Sequence, residues 1–182
     1  ASLSVVTDSA NKVYDGSALT APGKITGLVN GETVTFTVTG TRTEVGESDN
    51  TYSLVWDGTA LESNYTIGSE SIGTLTVTAK SIIPDPEDEK ALVYTGPEDT
   101  AYNGTSQMQP VTVKDPETGK TLVEGSDYTI SYSGDTTNVG KVTVTITGIG
   151  DYSGTYEPAY QITPASLSVV TDSANKVYDG SA

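Results

Sequence analysis

The chain has 182 residues, with 24 acidic residues against 9 basic ones and a net charge of −15. An acidic surface repels phosphate backbones and anionic lipid headgroups, so nucleic acid and direct membrane binding are poor candidates for its partners. The chain has no cysteine and no histidine, which removes the familiar catalytic triads and the common zinc sites. We therefore expect neither an enzyme nor a protein that depends on a cofactor.

Alternation of apolar and polar residues predicts strands along most of the chain. The pattern runs through residues 33–39 (TVTFTVT), 52–56, 74–78, 128–132 and 141–147 (KVTVTIT). Apolar residues at every second position indicate half-buried strands, with β-branched threonine on the solvent side. No segment has a convincing helical period. We therefore expect an all-β protein built mainly from antiparallel strands.

Turn residues separate these strands and divide their inward faces into two expected cores. Asn30-Gly31 predicts a two-residue hairpin, and residues 116–119 (PETG) predict another turn. The expected core residues are Val34, Phe36, Val38, Leu54, Trp56, Leu75 and Val77 in the first half and Val111, Val113, Tyr128, Ile130, Tyr132, Val142, Val144, Ile146, Tyr160 and Ile162 in the second.

The chain contains repetition at two levels. Residues 165–182 repeat residues 1–18 (ASLSVVTDSANKVYDGSA) without a substitution, which indicates a tandem array of whole domains. A weaker repeat relates the two halves, in which five sequence blocks recur in the same order. We expect domains at residues 1–80 and 91–164, joined by an acidic, proline-containing linker at residues 81–90 (SIIPDPEDEK). Residues 165–182 would then be the incomplete start of the next repeat.

Two matching motifs, Tyr14-Asp15-Gly16 and Tyr102-Asn103-Gly104, occupy equivalent places in the two halves. An inward tyrosine followed by Asp or Asn and then Gly predicts a tight turn in which the glycine has a positive φ. The alternative is a sugar-binding aromatic with a polar neighbour. Trp56 is grouped by alternation with Tyr52 and Leu54, so we expect it to fill the first core rather than to stack on a sugar.

The carboxylates of the expected linker raise the question of a metal site. Asp85, Glu87, Asp88 and Glu89 could hold Ca²⁺ at a hinge, because calcium prefers several carboxylate and carbonyl oxygens. No EF-hand loop or other ligand spacing accompanies them. A solvated linker that repels itself into an extended form explains the same residues, and this is the interpretation we favour.

Several motifs resemble repeat domains of Gram-positive surface proteins. In the first half, the YDG block at Tyr14, VNGE at Val29, Val45-Gly46 and Asn64-Tyr65 resemble the bacterial domains called YDG or MBG. In the second half, YNGT at Tyr102, GSDYTISY at Gly125 and NVGKVTVTITGIGDYSGT at Asn138 resemble Ig-like repeats. These motifs are turn and core residues and specify no ligand.

The resemblance implies two tandem Ig-like β-sandwich domains in an elongated arrangement, plus a short strand segment from the next repeat. Its functional implication is a structural module in the stalk of an extracellular, cell-wall-attached adhesin, whose partners are the neighbouring repeat domains. The alternative is that the domains themselves bind host glycan or mucin, with avidity from many weak copies. Exposed aromatic residues on one face would favour the alternative, whereas alternation points most aromatics inward.

Stalk domains of this kind can carry an amide crosslink between lysine and Asn or Asp, formed beside a catalytic carboxylate in an apolar core. The lysines that we considered lie beside turns or polar residues, so we do not expect such a triad. They are Lys12, Lys24, Lys114, Lys120 and Lys141.

The terminal repeat segment carries Leu167 and Val169 on one face. An unpaired apolar strand exposes both its backbone groups and its side chains. We therefore expect residues 165–182 either to pack on the end of the second domain or to replace residues 1–18 in a neighbouring molecule.

Overall fold

The computed structural model describes residues 1–180, and in this range the protein is all-β apart from one turn of 3₁₀ helix at Glu62–Asn64. The predicted fold class is thereby confirmed. The first eight strands are β1 (Ser2–Thr7), β2 (Ala10–Val13), β3 (Gly23–Thr26), β4 (Thr35–Val38), β5 (Gly46–Asp49), β6 (Tyr52–Val55), β7 (Thr66–Ser71) and β8 (Thr74–Thr78). They are followed by β9 (Lys80–Ser81), β10 (Val93–Thr95), β11 (Thr100–Ala101), β12 (Thr112–Lys114), β13 (Tyr128–Ser133), β14 (Gly140–Gly148), β15 (Tyr152–Ser153), β16 (Thr155–Tyr156) and β17 (Ala159–Thr163).

The strands form small mixed sheets. Up to β8 the strand orders are β3-β1-β7, β2-β8-β5 and β4-β6. From β9 onward the largest sheet has the order β11-β17-β14-β13, with β16 also paired to β14, and two further pairs are β10-β12 and β15-β9. Four pairings are parallel, namely β1–β7, β2–β8, β9–β15 and β11–β17. The expectation of mainly antiparallel strands therefore holds only for the other pairs, because parallel partners need long connections that alternation cannot show.

The same pairings occur twice along the chain. The parallel pair Ser2↔Thr66 has its counterpart in Ser81↔Ser153, and Val13↔Thr78 has its counterpart in Ala101↔Thr163. The antiparallel pair Gly46↔Val77 likewise matches Gly140↔Ile162. We therefore call residues 1–79 the first half and residues 80–163 the second half.

The expected linker at residues 81–90 begins inside the second half. Lys80 and Ser81 form β9, which pairs with β15, and Ile82 is fully buried in the second-half core. Residues 85–90 are exposed. The linker boundary is thus displaced, because a β-branched apolar residue beside the joint is buried by strand pairing before the prolines interrupt the chain. The division into two separate domains stays a prediction.

The inward faces follow the alternation. Each of the seventeen-odd expected core positions is buried or half-buried, but to different depths in the two halves. Val142, Val144 and Ile146 on β14 are each 0% exposed, whereas Leu54 on β6 is only half-buried. The main buried cluster belongs mostly to the second half. A smaller cluster in the first half contains Leu3, with Trp56 packed against it.

Of the two predicted turns, one differs from its expected setting. Asn30 and Gly31 both have positive φ, 51° and 72°, as a tight turn requires. The residues on either side of them are not in strands, so the turn does not join a hairpin. The second predicted turn connects residues on both sides of Gly119 through a bridge between Lys114 and Thr121.

The terminal segment does not pack on the second half. Residues 164–180 contain no strand, and Leu167 and Val169 are 94% and 85% exposed. The expectation that this segment docks on the second domain is therefore wrong. The reason is that the far end of the second half offers it no partner strand to pair with in this part of the chain.

Candidate functional site

The two halves meet at an apolar contact built around Tyr14. Its N–H, just after β2, donates to the carbonyl oxygen of Thr78 at 2.8 Å. Its ring packs edge-to-face on Tyr152, with ring centroids 5.7 Å apart and ring planes at 76°. Val77 on β8 belongs to the same buried cluster as Ile82 of the second half. The first half therefore contributes side chains to the core of the second.

A polar contact accompanies this apolar one. The Val45 N–H donates to Asp151 Oδ1 at 2.9 Å across the junction. The carboxyl of Glu44 also hydrogen-bonds Asp151, and this bond together with the negative charge of Asp151 raises the pKa of Glu44. Two acidic groups from different halves therefore attract each other only while one of them is protonated.

Lys80 forms a buried ion pair at the start of the second half. Its Nζ lies 2.7 Å from Asp115 Oδ1 and 3.2 Å from Glu117 Oε2. The Lys80 and Asp115 side chains are 8% and 0% exposed. Lys90, which is largely exposed, extends the network to Glu117 Oε1 at 2.9 Å. The ion pair thus ties the strand that follows the first half to the turn after β12.

Asp115 is held as a carboxylate. Burial opposes its ionisation, but hydrogen bonds from Lys80 and the Glu117 N–H, with the charge of Lys80, outweigh burial and lower the pKa of Asp115. Tyr152 Oη also donates to Asp115 Oδ2 at 3.1 Å. The Thr118 N–H adds a long bond at 3.4 Å.

This cluster contains the residue types of a lysine–aspartate crosslink, and sequence reasoning missed it because Lys80 was not among the lysines considered. Amide formation needs a neutral amine and a neutral carboxyl group, whereas Asp115 is surrounded by donors that stabilise its charged form. The geometry therefore supports an ion pair. One signal was available in the sequence, since Lys80 stands where both copies of the long repeat have alanine, at Ala1 and Ala165.

A groove of about 640 Å³ lies between β6 and β7 in the first half. In the described part of the chain these two strands do not pair with each other. Tyr52, Leu54 and Trp56 line one wall, and Ile67 and Ile72 line the other. We call this the β6–β7 groove.

Aromatic rings and carboxylates meet in this groove. Trp56 stacks on Tyr65 with centroids 5.7 Å apart and planes at 28°, and Tyr52 Oη donates to Glu70 Oε1 at 2.6 Å. Asp49 and Glu62 add two further carboxylates to the lining. Trp56 therefore packs against the first core and also faces the groove, so the two interpretations of this residue are both partly met. Aromatic faces and acceptor oxygens suit an uncharged polar ligand with C–H faces.

The two Tyr-Asp/Asn-Gly motifs form the same turn. Asp15 Oδ1 accepts from the Ser17 N–H at 2.8 Å, and Asn103 Oδ1 accepts from the Thr105 N–H at 2.9 Å. Gly16 and Gly104 have φ of 74° and 81°, as expected for this turn. The tyrosines differ, because Tyr14 is covered by the second half and is 8% exposed, whereas Tyr102 is 40% exposed.

The four carboxylates considered for calcium do not come together. Asp85 Oδ1 accepts from the Glu87 N–H at 3.0 Å, and Asp88 Oδ1 accepts from the Lys90 N–H at 2.9 Å. Asp85 and Asp88 line a cleft of about 800 Å³ at the junction, but Glu87 and Glu89 do not. Across residues 1–180 no three acidic side chains are grouped as metal ligands. The carboxylates of Asp85 and Asp88 instead stabilise local turns.

Two comparisons and one search of the structure complete the description. Within residues 1–180 no helix is long and apolar enough to span a bilayer. Comparison of the chain with protein-family models and with curated proteins finds no match. The case for a function therefore depends on the junction and the groove.

Proposed function

We propose that the chain is a structural repeat module in which two Ig-like sandwiches lie end to end in the stalk of a cell-wall-attached, extracellular adhesin. The observation that carries this proposal is the junction. Only Ala79 separates β8 from β9, while Tyr14 and Val77 reach into the second-half core. A one-residue joint with a shared core restricts bending more than a flexible linker does.

The second joint has the same length. Pro164 alone separates β17 from Ala165, which is the first residue of the repeated sequence. A proline fixes its own φ and limits the conformations of the joint. Two short joints of this kind support a chain whose length grows regularly with each added repeat.

The surface chemistry suits closely spaced copies. The net charge of −15 makes neighbouring chains repel each other, and threonine-rich outer faces present few apolar side chains. The neighbouring repeat domains are then the main partners. Projection of a distal binding region from the cell wall is the role that this combination serves.

Small-angle scattering tests the proposal. We expect an elongated particle, and a broader distance distribution when four Gly-Ser residues are inserted between Ala79 and Lys80. The matched control is the same insertion after Gly31, a turn with open space around it, which should leave the distribution nearly unchanged. A compact particle for the unaltered chain would contradict the stalk proposal.

A second candidate function is weak binding of host glycan or mucin, favoured by the β6–β7 groove. Its stacked Trp56 and Tyr65, with carboxylates at Glu62 and Glu70, provide a surface for sugar rings and acceptors for sugar hydroxyls. One copy would bind weakly, and an array would add avidity.

A glycan array probed with a multi-copy chain tests this candidate. If it is correct, Glu62→Gln and Tyr52→Ala should each reduce the signal, whereas Tyr102→Ala should not. Tyr102 is an exposed aromatic outside the groove and serves as the matched control. Absence of reproducible binding, or an equal loss in the control, would leave the stalk as the only proposal.

A further inference from the structure

The terminal segment repeats a sequence that is buried elsewhere in the same molecule. Leu167 and Val169 are 94% and 85% exposed, whereas their counterparts Leu3 and Val5 are 1% and 0% exposed. Tyr178 is 93% exposed and its counterpart Tyr14 is 8% exposed. The structure therefore contains one site that buries this sequence and a second copy of the sequence without such a site.

The site that buries the first copy is specified by strand pairing. β1 pairs antiparallel with β3 and parallel with β7, and β2 pairs parallel with β8. Side chains add to this pairing, since Thr7 Oγ1 accepts from the Gly73 N–H and Ser9 Oγ accepts from the Thr74 N–H, both at 2.9 Å. The repeated segment has the same groups at Leu167, Val169, Thr171 and Ser173.

Glycines on the neighbouring segments shape the site for close passage of a backbone. A Cβ at Gly23, Gly27, Gly68 or Gly73 would lie closer than 3.0 Å to atoms of residues 2–9. A side chain at these positions would block the strand. The first half without β1 and β2, formed by residues 19–79, is thus an acceptor with a defined shape, which we call the acceptor site.

The equivalent place in the second half does not suit the segment. There Lys80 occupies the position of Ala165 and pairs with the fully buried Asp115. An alanine at this position would leave a buried carboxylate without its cation, which is strongly unfavourable. The repeated segment therefore fits the acceptor site of a first half and not that of a second half.

We propose that residues 165–182 are a donor segment that completes the first half of a second copy of this chain, taking the place of its β1 and β2. Binding is by strand addition, in which backbone pairing supplies affinity and the pockets for Leu167 and Val169 supply specificity. Because one end of each copy fills the other end of the next, the contact is head-to-tail and extends into open chains. This exchange does not depend on the stalk function.

The chain's own β1 competes with the donor. It is held beside the acceptor site by covalent linkage, so its effective concentration is high. The unaltered chain should therefore remain mainly monomeric at micromolar concentration. Exchange becomes measurable when β1 is disabled and the donor is left intact.

The test uses the full chain with Leu3→Asp and Val5→Asp. Trp56 is the only tryptophan and packs against the cluster that contains Leu3, so its emission reports whether the acceptor site is filled. We expect red-shifted emission in dilute solution. As concentration rises, the emission should return to that of the unaltered chain while light scattering shows multiples of the monomer mass.

Further variants separate exchange from general association. Adding Leu167→Asp and Val169→Asp to the first variant should abolish both the recovery and the assembly at every concentration, and these two changes alone should leave a monomer with native emission. A synthetic peptide of residues 165–182 should restore the emission of the fourfold variant in a saturable manner, and a Leu167→Asp peptide should not. Equal assembly of the twofold and fourfold variants, or failure of the peptide to restore emission, would overturn the proposal.

Discussion

The two halves share their strand pairings but close their cores differently. In the second half β14 is a continuous strand of nine residues that pairs with β13, β16 and β17. In the first half the corresponding residues form two short strands, β5 and β6. The groove beside β6 is the space that β16 closes beside β14.

Connection length explains this difference. Only residues 149–151 separate β14 from β15, so the chain stays beside β14 and can pair with it again. Residues 56–65 separate β6 from β7 and include the 3₁₀ turn, which carries β7 away. One pairing scheme can therefore give either a closed core or an open groove, according to a single connection.

The largest expected effect follows from the depth of the two cores. Ile146→Ala should lower the free energy of unfolding of the second half by about 2–5 kcal/mol, because Ile146 is 0% exposed and its removal leaves a cavity. The matched change Leu54→Ala in the first half should cost less, about 1–2 kcal/mol, since the half-buried side chain is open to the groove. Denaturant unfolding followed by circular dichroism, with Trp56 emission as the probe of the first half, measures both. Equal losses would show that the groove is not an opening in the core.

The buried ion pair gives the next effect. Lys80→Met should destabilise the second half by about 3 kcal/mol, because Asp115 would remain buried without its cation. The control is Lys90→Met, whose ammonium is exposed and contacts only Glu117 in the same network; its cost should be below about 1 kcal/mol. Similar melting temperatures for the two variants would mean that Lys80 contributes no more than a surface charge.

Acid should remove the same contribution. The pKa of Asp115 is lowered in the folded protein, so its stabilising effect is complete above the ordinary value of 3.8 and is lost as the pH falls through the folded pKa. The difference in stability between the unaltered chain and Lys80→Met should therefore be constant from pH 7 to about pH 5 and shrink at lower pH. A difference that grows on acidification would contradict the assignment of charge at Asp115.

The mass of the intact chain distinguishes an ion pair from a crosslink. Because Asp115 is stabilised as a carboxylate, we expect the mass calculated from the sequence. Condensation of Lys80 with Asp115 would release one water molecule and lower the mass accordingly. Lys80→Met provides the reference, since it cannot condense, and a mass deficit present only in the unaltered chain would show that the cluster is reactive.

Sequence patterns predicted the strands and their inward faces because alternation is a local property. Val142, Val144 and Ile146 were correctly placed on one buried face. The parallel partners of β1 and β2 lie more than sixty residues away in the chain, as Ser2↔Thr66 shows, and no local pattern reveals them. The partner of Lys80 was hidden for the same reason, and the groove depends on a connection whose path alternation does not describe.

The smallest expected effect concerns the junction itself, where the two halves are compared directly. The pKa of Glu44 is raised by its hydrogen bond to Asp151 and by the charge of that residue. A group whose pKa is raised on folding stabilises the fold when protonated, and this contribution is lost as the pH rises through the folded pKa. Glu44→Gln keeps a donor for Asp151 at all pH values, so it should raise the melting temperature slightly at pH 7. The gain should disappear near pH 4, where Glu44 is itself protonated. Glu62→Gln is the matched control, because it removes one negative charge from the first half but lines the groove rather than the junction. If both variants raise the melting temperature equally, the gain reflects only the reduced net charge, and the carboxyl pair does not couple the two halves.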